Sequence, residues 1–321
     1  MSWTERYRPT RLDTVCGQDV AVQLLKAALT DGSLPHLLFH GPAGTGKTTC
    51  VRAAAREWFG VEHWQQRVLE LNASQERGID VVRNTIKTFA ATTTCDNSAV
   101  AFKLVILDEA DSMTPDAQNA LKRIMERSAG NTRFCLLCNY SAHIIAPIRS
   151  RCCVVAFQPV SVSSVVKRLQ VIAETELLQV EDDALERVAE LSNGDMRRAV
   201  SVLQTAAATV PVSIKAVNLG AGVIPRSVFA PLLAAFQEQL STKQVSCLAT
   251  AIAQQAYPMV SVLQRLQQYV LEESVFSDAD RALLLVMLAE VDFHVRRGSS
   301  ERLELVRVIM YTLTRNFIKQ M

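Results

Sequence analysis

Residues 37–48 read Leu37-Leu38-Phe39-His40-Gly41-Pro42-Ala43-Gly44-Thr45-Gly46-Lys47-Thr48, and this stretch decides the fold. The apolar run at its start predicts a buried strand, and the loop that follows fits the pattern G-x-x-x-x-G-K-[ST]. The residues from Thr48 to about Trp58 read as a helix that begins directly behind the loop. Glycines allow the backbone to fold round phosphate groups, and the N-terminus of the helix adds a favourable dipole. Strand, loop and helix in this order therefore predict a phosphate-binding site.

The side chains of this loop predict that it binds ATP together with Mg²⁺. Lys47 is expected to reach the β- and γ-phosphates and so to serve in both binding and catalysis, and the Thr48 hydroxyl group is expected to ligate Mg²⁺. The residues of this segment that we expect to bind the nucleotide are Gly41, Pro42, Ala43, Gly44, Thr45, Gly46, Lys47, Thr48 and Thr49.

A second apolar run, 104–107, delivers two carboxylates to the end of a predicted strand. Ligands of open α/β sheets lie at the carboxyl ends of the strands, which places Asp108 and Glu109 beside the phosphates. Asp108 is expected to hold Mg²⁺, and Glu109 to orient and polarise the attacking water. The string Asp108-Glu109-Ala110-Asp111 also invites assignment to the DEAD-type helicases, but these need two nucleotide-fold domains and this chain has room for one.

The composition is that of an ordinary globular protein. The chain has 321 residues, of which 49% are hydrophobic and 21% charged, and its formal net charge is only +2. Any surface that binds nucleic acid must therefore be local. The longest apolar run, 282–289, is far shorter than the roughly 18 residues that span a bilayer, so no contact with a membrane is expected.

The eight cysteines indicate reduced thiols rather than disulfides. The N-terminus is charged and polar and does not resemble a signal peptide, so an intracellular compartment is expected. Cys135 and Cys138 form a C-x-x-C, a spacing that can mark zinc or redox chemistry. Both lie in an apolar run that predicts a strand, where residues three apart face opposite sides. Core thiols are therefore favoured over a metal site.

Apolar runs and helical patterns divide the chain into three zones. In residues 1–160 short apolar runs alternate with helical patterns, which predicts an α/β domain with a parallel sheet covered on both faces. Residues 161–225 read as a few helices, and residues 226–321 as almost wholly helical. Three domains with these boundaries are therefore predicted.

Short motifs along most of the chain resemble those of one known family. They are Trp3-Thr4-Glu5-Arg6-Tyr7-Arg8-Pro9, similar to W-x-E-K-Y-R-P; residues 69–79, similar to L-E-L-N-A-S-D-x-R-G-I; residues 132–140, similar to a sensor 1 strand; Ser150-Arg151-Cys152, similar to an S-R-C box; and Gly194-Asp195-Met196-Arg197-Arg198, similar to a sensor 2 box. With the two ATP-binding motifs, these seven motifs in family order resemble the small subunits of the replication factor C clamp loader, which are AAA+ ATPases.

The resemblance implies the AAA+ architecture. Residues 1–160 are then the P-loop parallel-sheet domain, residues 161–225 a small helical lid, and residues 226–321 an all-α collar through which subunits join. The collar carries no short motif, so its assignment rests on position and helical pattern alone.

The resemblance also implies three further catalytic residues. Asn139, at the end of the sensor 1 strand, senses the γ-phosphate or holds the attacking water. Arg197, in the first turn of a lid helix, reaches the γ-phosphate and couples the lid to the nucleotide. Arg151 of the S-R-C box acts in trans, as an arginine finger in the ATP site of the neighbouring subunit.

Two further groups of residues follow from the resemblance. Contacts on the adenine side of the nucleotide are expected from Tyr7, Arg8, Pro9, Val15, Gly17 and Gln18. Contacts to duplex DNA are expected from two helices that line the central channel, and involve Arg77, Arg83, Lys87, Lys122 and Arg123. Such phosphate contacts give affinity without reading base sequence.

The resemblance implies a function and a set of partners. ATP binding supports clamp opening and primer–template DNA binding, and hydrolysis releases the clamp on DNA. The partners are four related clamp-loader subunits, one large and three other small, a ring-shaped PCNA-type sliding clamp, and primer–template DNA. A nuclear location is expected.

Two alternatives remain open at this point. One is an ATP-binding scaffold subunit of the same complex that does not hydrolyse ATP, against which Glu109 and Asn139 argue. The other is an AAA+ motor of the branch-migration type, against which the W-x-E-x-Y-R-P and S-R-C boxes argue.

Overall fold

The computed structural model describes residues 2–74, 79–91, 102–225, 242–254, 257–272 and 277–320. The chain forms two compact units, Met1–Val217 and Asn218–Met321. The finer division at residues 160 and 225 stays a prediction.

A parallel β-sheet forms the centre of the first unit. Its described strands are β1 (His36–His40), β2 (Val68–Asn72), β3 (Lys103–Asp108), β4 (Thr132–Cys138) and β5 (Cys152–Ala156), in the order β2-β3-β4-β1-β5. All the pairings are parallel. The strands are short apolar runs because both faces of the sheet are covered. The predicted α/β fold class is confirmed.

Helices cover both faces of this sheet. They are α2 (Asp19–Asp31), α3 (Lys47–Arg67), α4 (Ile79–Ala91), α5 (Pro115–Arg127) and α6 (Ala146–Arg149), and a short helix, α1 (Trp3–Arg6), precedes them in the chain. The helical run of α3 is interrupted at Gly60, which has φ +75° and ψ 158°. One apolar core contains Cys135, and the core on the opposite face contains Cys138. Both cysteines of the C-x-x-C are buried, and burial raises the pKa of Cys138 to about 12. They are core thiols, as predicted.

The strand order brings three loops together at one edge of the sheet. Strands β3, β4 and β1 are neighbours, and their carboxyl ends are Asp108, Cys138 and His40. The glycine-rich loop follows His40, and Asn139 follows Cys138. The parallel register therefore places the phosphate-binding loop beside the two segments that carry the polar residues.

Three helices follow the sheet in the same unit: α7 (Val162–Thr175), α8 (Ala184–Ser192) and α9 (Met196–Ala206). Ser161 caps α7, and the carboxylate of Asp195 caps α9 by accepting from the N–H groups of Arg197 at 2.8 Å and Arg198 at 3.1 Å. This cap fixes the start of the helix that carries Arg197.

The described part of the second unit is helical. Its helices are α11 (Thr242–Gln254), α12 (Met259–Glu272), α13 (Asp278–Arg296) and α14 (Glu301–Gln320), while α10 (Ile214–Gly220) spans the point where the units divide. A separate apolar core, which includes Val245, Leu266, Val291 and Ile309, holds these helices together. Among the described residues, no helix is both long enough and apolar enough to cross a membrane.

Candidate nucleotide-binding site

A cleft of about 420 Å³ lies at the carboxyl edge of the sheet, between the glycine-rich loop, the N-terminal segment and the helix α9. It brings together most of the residues predicted to bind or turn over ATP: Tyr7, Arg8, Pro9, Val15, Ala43, Gly44, Thr45, Gly46, Lys47, Thr48, Thr49, Asp108, Glu109, Asn139 and Arg197. The predicted residues Gly17, Gln18, Gly41, Pro42 and Arg151 do not line it.

Two positions of the glycine-rich loop leave no room for a side chain. A Cβ atom on Gly41 would lie 2.2 Å from the carbonyl oxygen of Phe157, and one on Gly44 would lie 1.8 Å from Oδ1 of Asp195. Gly44 also has φ +72°, and its carbonyl accepts from the N–H of Met196 at 3.1 Å. The loop is thus locked against both the last strand and the first turn of α9.

Lys47 begins α3 and points back into the loop. Its ammonium group donates to the carbonyl oxygens of Gly41 at 2.7 Å and Pro42 at 2.9 Å, and to Oδ1 of Asn139 at 3.2 Å. Burial lowers the pKa of Lys47, and the carboxylate of Asp108 opposes that shift. A buried cation whose partners are neutral oxygens can exchange them for the charged oxygens of a phosphate.

Thr48 and Asp108 place two oxygen-bearing groups in direct contact. The Thr48 hydroxyl group donates to Oδ2 of Asp108 at 2.9 Å, while Oδ1 of Asp108 accepts from the N–H of Glu109 at 3.0 Å. A hydroxyl and a carboxylate in contact at the start of α3 fit Mg²⁺, which prefers oxygen ligands and keeps several of its waters.

Glu109 and Asn139 lie at the ends of neighbouring strands. Glu109 is exposed and has a left-handed backbone conformation, φ +53°, which is uncommon for a residue with a side chain. Asn139 is exposed, and its N–H donates to Oδ2 of Asp111 at 3.0 Å. Asp111 was not singled out from the sequence, yet its carboxylate fixes the segment that presents Asn139 to Lys47.

Arg197 reaches the cleft from the first turn of α9. Its backbone N–H is held by Asp195, whereas its exposed guanidinium group has no hydrogen bond or ion pair within the described residues. The arrangement leaves a cation available beside the glycine-rich loop. The helix that carries it belongs to the small helical region, which consists of α7, α8 and α9.

The base end of the cleft differs in part from the prediction. Tyr7, Pro9 and Val15 line it, but Gln18 is buried beneath and donates to the carbonyls of Thr45 at 3.2 Å and Gln158 at 2.8 Å. Gln18 therefore braces the loop from behind. Further lining residues that the sequence reasoning missed are Trp3, Thr4, Glu5, Cys16, Val160, Arg168, Met196 and Val200. Trp3, Thr4, Glu5 and Met196 fall inside quoted motifs, which was the available signal.

Arg8 lines the cleft and also faces its phosphate end. It also lines an adjoining polar cavity of about 380 Å³, together with Thr48, Arg52, Asp108 and Arg197. Burial lowers the pKa of Arg8, and the neighbouring guanidinium group of Arg52 lowers it further. Its position beside Asp108 means that its contacts are not confined to the adenine side.

Arg151 lies far from the cleft of its own chain. It directly precedes Cys152, which pairs with His36 at the start of β1, whereas the glycine-rich loop follows the other end of that strand. The four residue steps between them span about 13 Å. Its guanidinium group is held at the surface by Glu126 at 2.7 Å and by the carbonyl of Pro147 at 2.8 Å.

Four of the five residues predicted to contact DNA lie on α4 and α5. Lys87, Lys122 and Arg123 line a groove of about 690 Å³, which Arg127 also lines. Arg83 lies within α4, but its side chain is outside the described residues, and so is the whole of Arg77. The described side chains thus form a local basic surface on a chain of low net charge.

Comparison with known proteins decides the family. A model described as the ATPase family associated with various cellular activities matches residues 37–160, and one described as the RCF1/5-like AAA+ ATPase lid domain matches residues 167–208. Replication factor C subunit 2 of Schizosaccharomyces pombe is 41% identical over 96% of this chain and 92% of that protein. The chain belongs to the replication factor C small-subunit family. It is therefore an AAA+ ATPase, as predicted.

Relatives occur in eukaryotes and archaea. Human replication factor C subunit 4 is 39% identical over 98% of this chain and 89% of that protein, and the replication factor C small subunit of Picrophilus torridus is 37% identical over 94% of each chain. These relatives are named as subunits, and the chain accordingly belongs to a family of multi-subunit assemblies.

Among solved structures, RuvB from Thermotoga maritima has the same fold. One RuvB structure, described as a Holliday junction branch migration motor, superposes with a TM-score of 0.55 at 18% identity, over 77% of this chain and 85% of that chain. The A156S mutant of the same protein gives 0.57 at 18%. At this identity the likeness concerns the fold and carries no functional argument.

Proposed function

We propose that this chain is an ATP-hydrolysing subunit of a clamp loader. ATP binding supports an open sliding clamp and primer–template DNA, and hydrolysis releases the clamp closed on the DNA. The observation that carries the proposal is the meeting of Lys47, Thr48, Asp108, Glu109 and Asn139 in one cleft. The names of the replication factor C relatives supply the biological setting.

The residues of the cleft divide the chemistry between them. Lys47 and the N–H groups of the loop bind the phosphates, and Arg197 adds a cation from the small helical region. Glu109 orients and polarises the attacking water, for which an exposed carboxylate at the strand end is suited. Asn139, now bonded to Lys47, is placed to register the γ-phosphate when Lys47 turns to it.

Thr48 and Asp108 would hold the magnesium ion. When bound, the ion neutralises charge on the β- and γ-phosphates. Their direct hydrogen bond at 2.9 Å shows that the two oxygen ligands already face each other in this chain.

Arg151 is proposed to act on a neighbouring subunit. Its position at the opposite edge of the sheet from its own glycine-rich loop leaves it no role in its own cleft, while its guanidinium group lies at the surface. An arginine that enters an adjacent ATP site stabilises the charge of the transition state and contributes on the order of 10³-fold in rate.

Assembly through the second unit is supported by an apolar face on α13. Leu283, Val286 and Phe293 are exposed, and their spacing of three and seven residues places them along one side of the helix. Exposed apolar stripes of this kind mark interaction surfaces. We propose that this unit contains the collar that joins this chain to four related subunits, one large and three other small, in a ring.

The groove between α4 and α5 is proposed to follow duplex DNA. Lys87, Lys122, Arg123 and Arg127 can neutralise phosphates without reading bases. The further proposed partner is a PCNA-type sliding clamp. The proposed location is the nucleus, because relatives of this chain include eukaryotic replication factor C subunits.

Two measurements test this function. Mass spectrometry of the complex that co-purifies with the chain should find four related subunits, whereas a homohexamer would indicate a motor. In the reconstituted complex, Arg151→Ala should abolish turnover at the adjacent ATP site and leave nucleotide binding at its own site normal. A loss confined to its own site would contradict action in trans. A wild-type site that binds ATP without turnover would indicate the non-hydrolysing scaffold instead.

A further inference from the structure

The N-terminal segment, residues 3–9, is attached to the helices that follow the sheet. The N–H of Trp3 donates to Oε1 of Gln204 on α9 at 3.0 Å. Arg168 on α7 donates from Nη2 to the carbonyl oxygen of Tyr7 at 2.6 Å. The segment is therefore fixed to two different helices of the small helical region, and it carries Trp3 and Tyr7 into the wall of the cleft.

Glu176 completes this attachment. It is the residue directly after α7, and its Oε1 accepts from Nη1 of Arg6 at 2.7 Å and from the hydroxyl group of Tyr7. The Glu176 side chain is 20% exposed, whereas that of Arg6 is 54% exposed. The hydrogen bond to Glu176 is the main cause that raises the pKa of Tyr7, so the phenol stays protonated and keeps its donor.

Beyond Pro9 the chain is attached to the other side of the cleft. The N–H of Leu12 donates to Oε1 of Glu57 on α3 at 2.8 Å, and Asp13 pairs with Lys26 on α2. The segment thus crosses from the helices α7 and α9 to the helices beside the sheet. Tyr7, Pro9 and Val15 on this crossing line the cleft, so its position bears on the space that a nucleotide would occupy.

We propose that Glu176 is a positioning residue for nucleotide binding. It does not line the cleft, and it acts through the Tyr7 hydroxyl group to hold the N-terminal segment over the bound nucleotide. It thereby sets how long ATP or ADP stays bound. This inference rests on the proposed function, because it takes the cleft to be the nucleotide site.

The hydrogen bond from the Tyr7 hydroxyl group to Glu176, rather than the ion pair between Glu176 and Arg6, accounts for the proposed effect on nucleotide dissociation. Exposed ion pairs are screened by water and salt and contribute little. A hydrogen bond from a phenol to a carboxylate is charge-assisted, and this one is partly buried. Removing the carboxylate should therefore free the Tyr7 hydroxyl group. An amide in its place still offers an oxygen that accepts a hydrogen bond from the phenol.

The test measures dissociation of fluorescent ADP from the assembled complex, with labelled nucleotide bound at this site alone. Glu176→Ala should raise the dissociation rate by about ten-fold, since hydrogen bonds to charged groups are the stronger ones. Single-turnover hydrolysis of ATP that is already bound should change less than about two-fold. The matched control is Glu174→Ala, which removes an exposed carboxylate from the same helix end and should leave dissociation unchanged.

Two further variants separate a positioning role from a loss of stability. Glu176→Gln should restore slow dissociation to within about three-fold of the wild type, because it keeps the acceptor. Tyr7→Phe should match Glu176→Ala, and the double variant should be no worse than either alone. Where Glu176→Ala fails to assemble, Tyr7→Phe and Glu176→Gln carry the test.

Two outcomes distinguish the inference from the proposed function. Dissociation from Glu176→Ala at the rate of the Glu174→Ala control, or additive effects in the double variant, would overturn the inference and leave the nucleotide site intact. A wild-type complex that binds no nucleotide at this site would overturn the proposed function, and the role of Glu176 with it.

Discussion

The two ends of the cleft are built on different principles. At the phosphate end, Lys47 and Thr48 begin the helix behind the glycine-rich loop and Asp108 ends β3, and each makes a polar contact with another residue of the set or with that loop. At the base end, Tyr7 belongs to a segment held by hydrogen bonds to distant helices, and Cys16 lies farther along the chain in the same wall. The first end depends on particular functional groups, and the second on where a segment is fastened. Substitutions should therefore act very differently at the two ends.

The largest effect is expected at Glu109, where binding and chemistry separate. Glu109→Gln keeps the shape of the side chain but removes the carboxylate that polarises water, so hydrolysis at this site should fall on the order of 10³-fold. ATP affinity should stay within about two-fold, because Glu109 is exposed and pairs with neither Lys47 nor Thr48. Single-turnover hydrolysis and equilibrium binding measure the two quantities. Turnover at the wild-type rate would remove Glu109 from the mechanism.

Lys47 should show the next largest effect, on binding itself. Lys47→Ala removes the cation that faces the phosphates and leaves Asn139 without its donor, so ATP affinity should fall on the order of 10²-fold. Titration of the assembled complex with fluorescent ATP measures it. An affinity within about three-fold of the wild type would show that the loop's N–H groups suffice, and would erase the contrast between the two ends.

Gly44 tests the contact that joins the loop to α9. In Gly44→Ala the new Cβ atom would meet Asp195, so the cap of α9 must shift and Arg197 with it. ATP affinity should fall about ten-fold, and the melting temperature should drop. Gly32→Ala is the matched control, because it has φ +61° with nothing within 4 Å. It should cost only about 1–2 kcal/mol of backbone strain and leave ATP affinity unchanged.

Equal losses in these two glycine variants would mean that strain, not the contact with Asp195, accounts for the effect. A drop in the melting temperature without a loss of ATP affinity would mean that the position of α9 does not matter to binding. Either result would mean that the contact between the glycine-rich loop and α9 does not contribute to ATP binding at the phosphate end.

The same contrast explains what could be predicted from sequence. The phosphate end is local, since Lys47 and Thr48 follow one strand and Asp108 ends another, so spacing alone brings them together. The base end is predicted only through a resemblance, and the hydrogen bonds of Gln18 could not be foreseen because its partners, Thr45 and Gln158, are up to 140 residues distant. Glu176 and Arg168 were missed for the same reason: nothing near them in sequence indicates Tyr7.

The smallest effect is expected at Cys16, in the wall of the base end. Its thiol is half-buried, burial raises its pKa, and its one described hydrogen bond is a weak 3.8 Å contact to the carbonyl of Thr14. Cys16→Val keeps the volume and apolar character, so ATP affinity should change less than about three-fold. Equilibrium titration beside Lys47→Ala measures both ends on one scale. A loss above about ten-fold would show that the base end also depends on a particular side chain. A small change is the result expected of a wall that works through the position of its segment, which Glu176 holds from outside the cleft and Arg168 from within its lining.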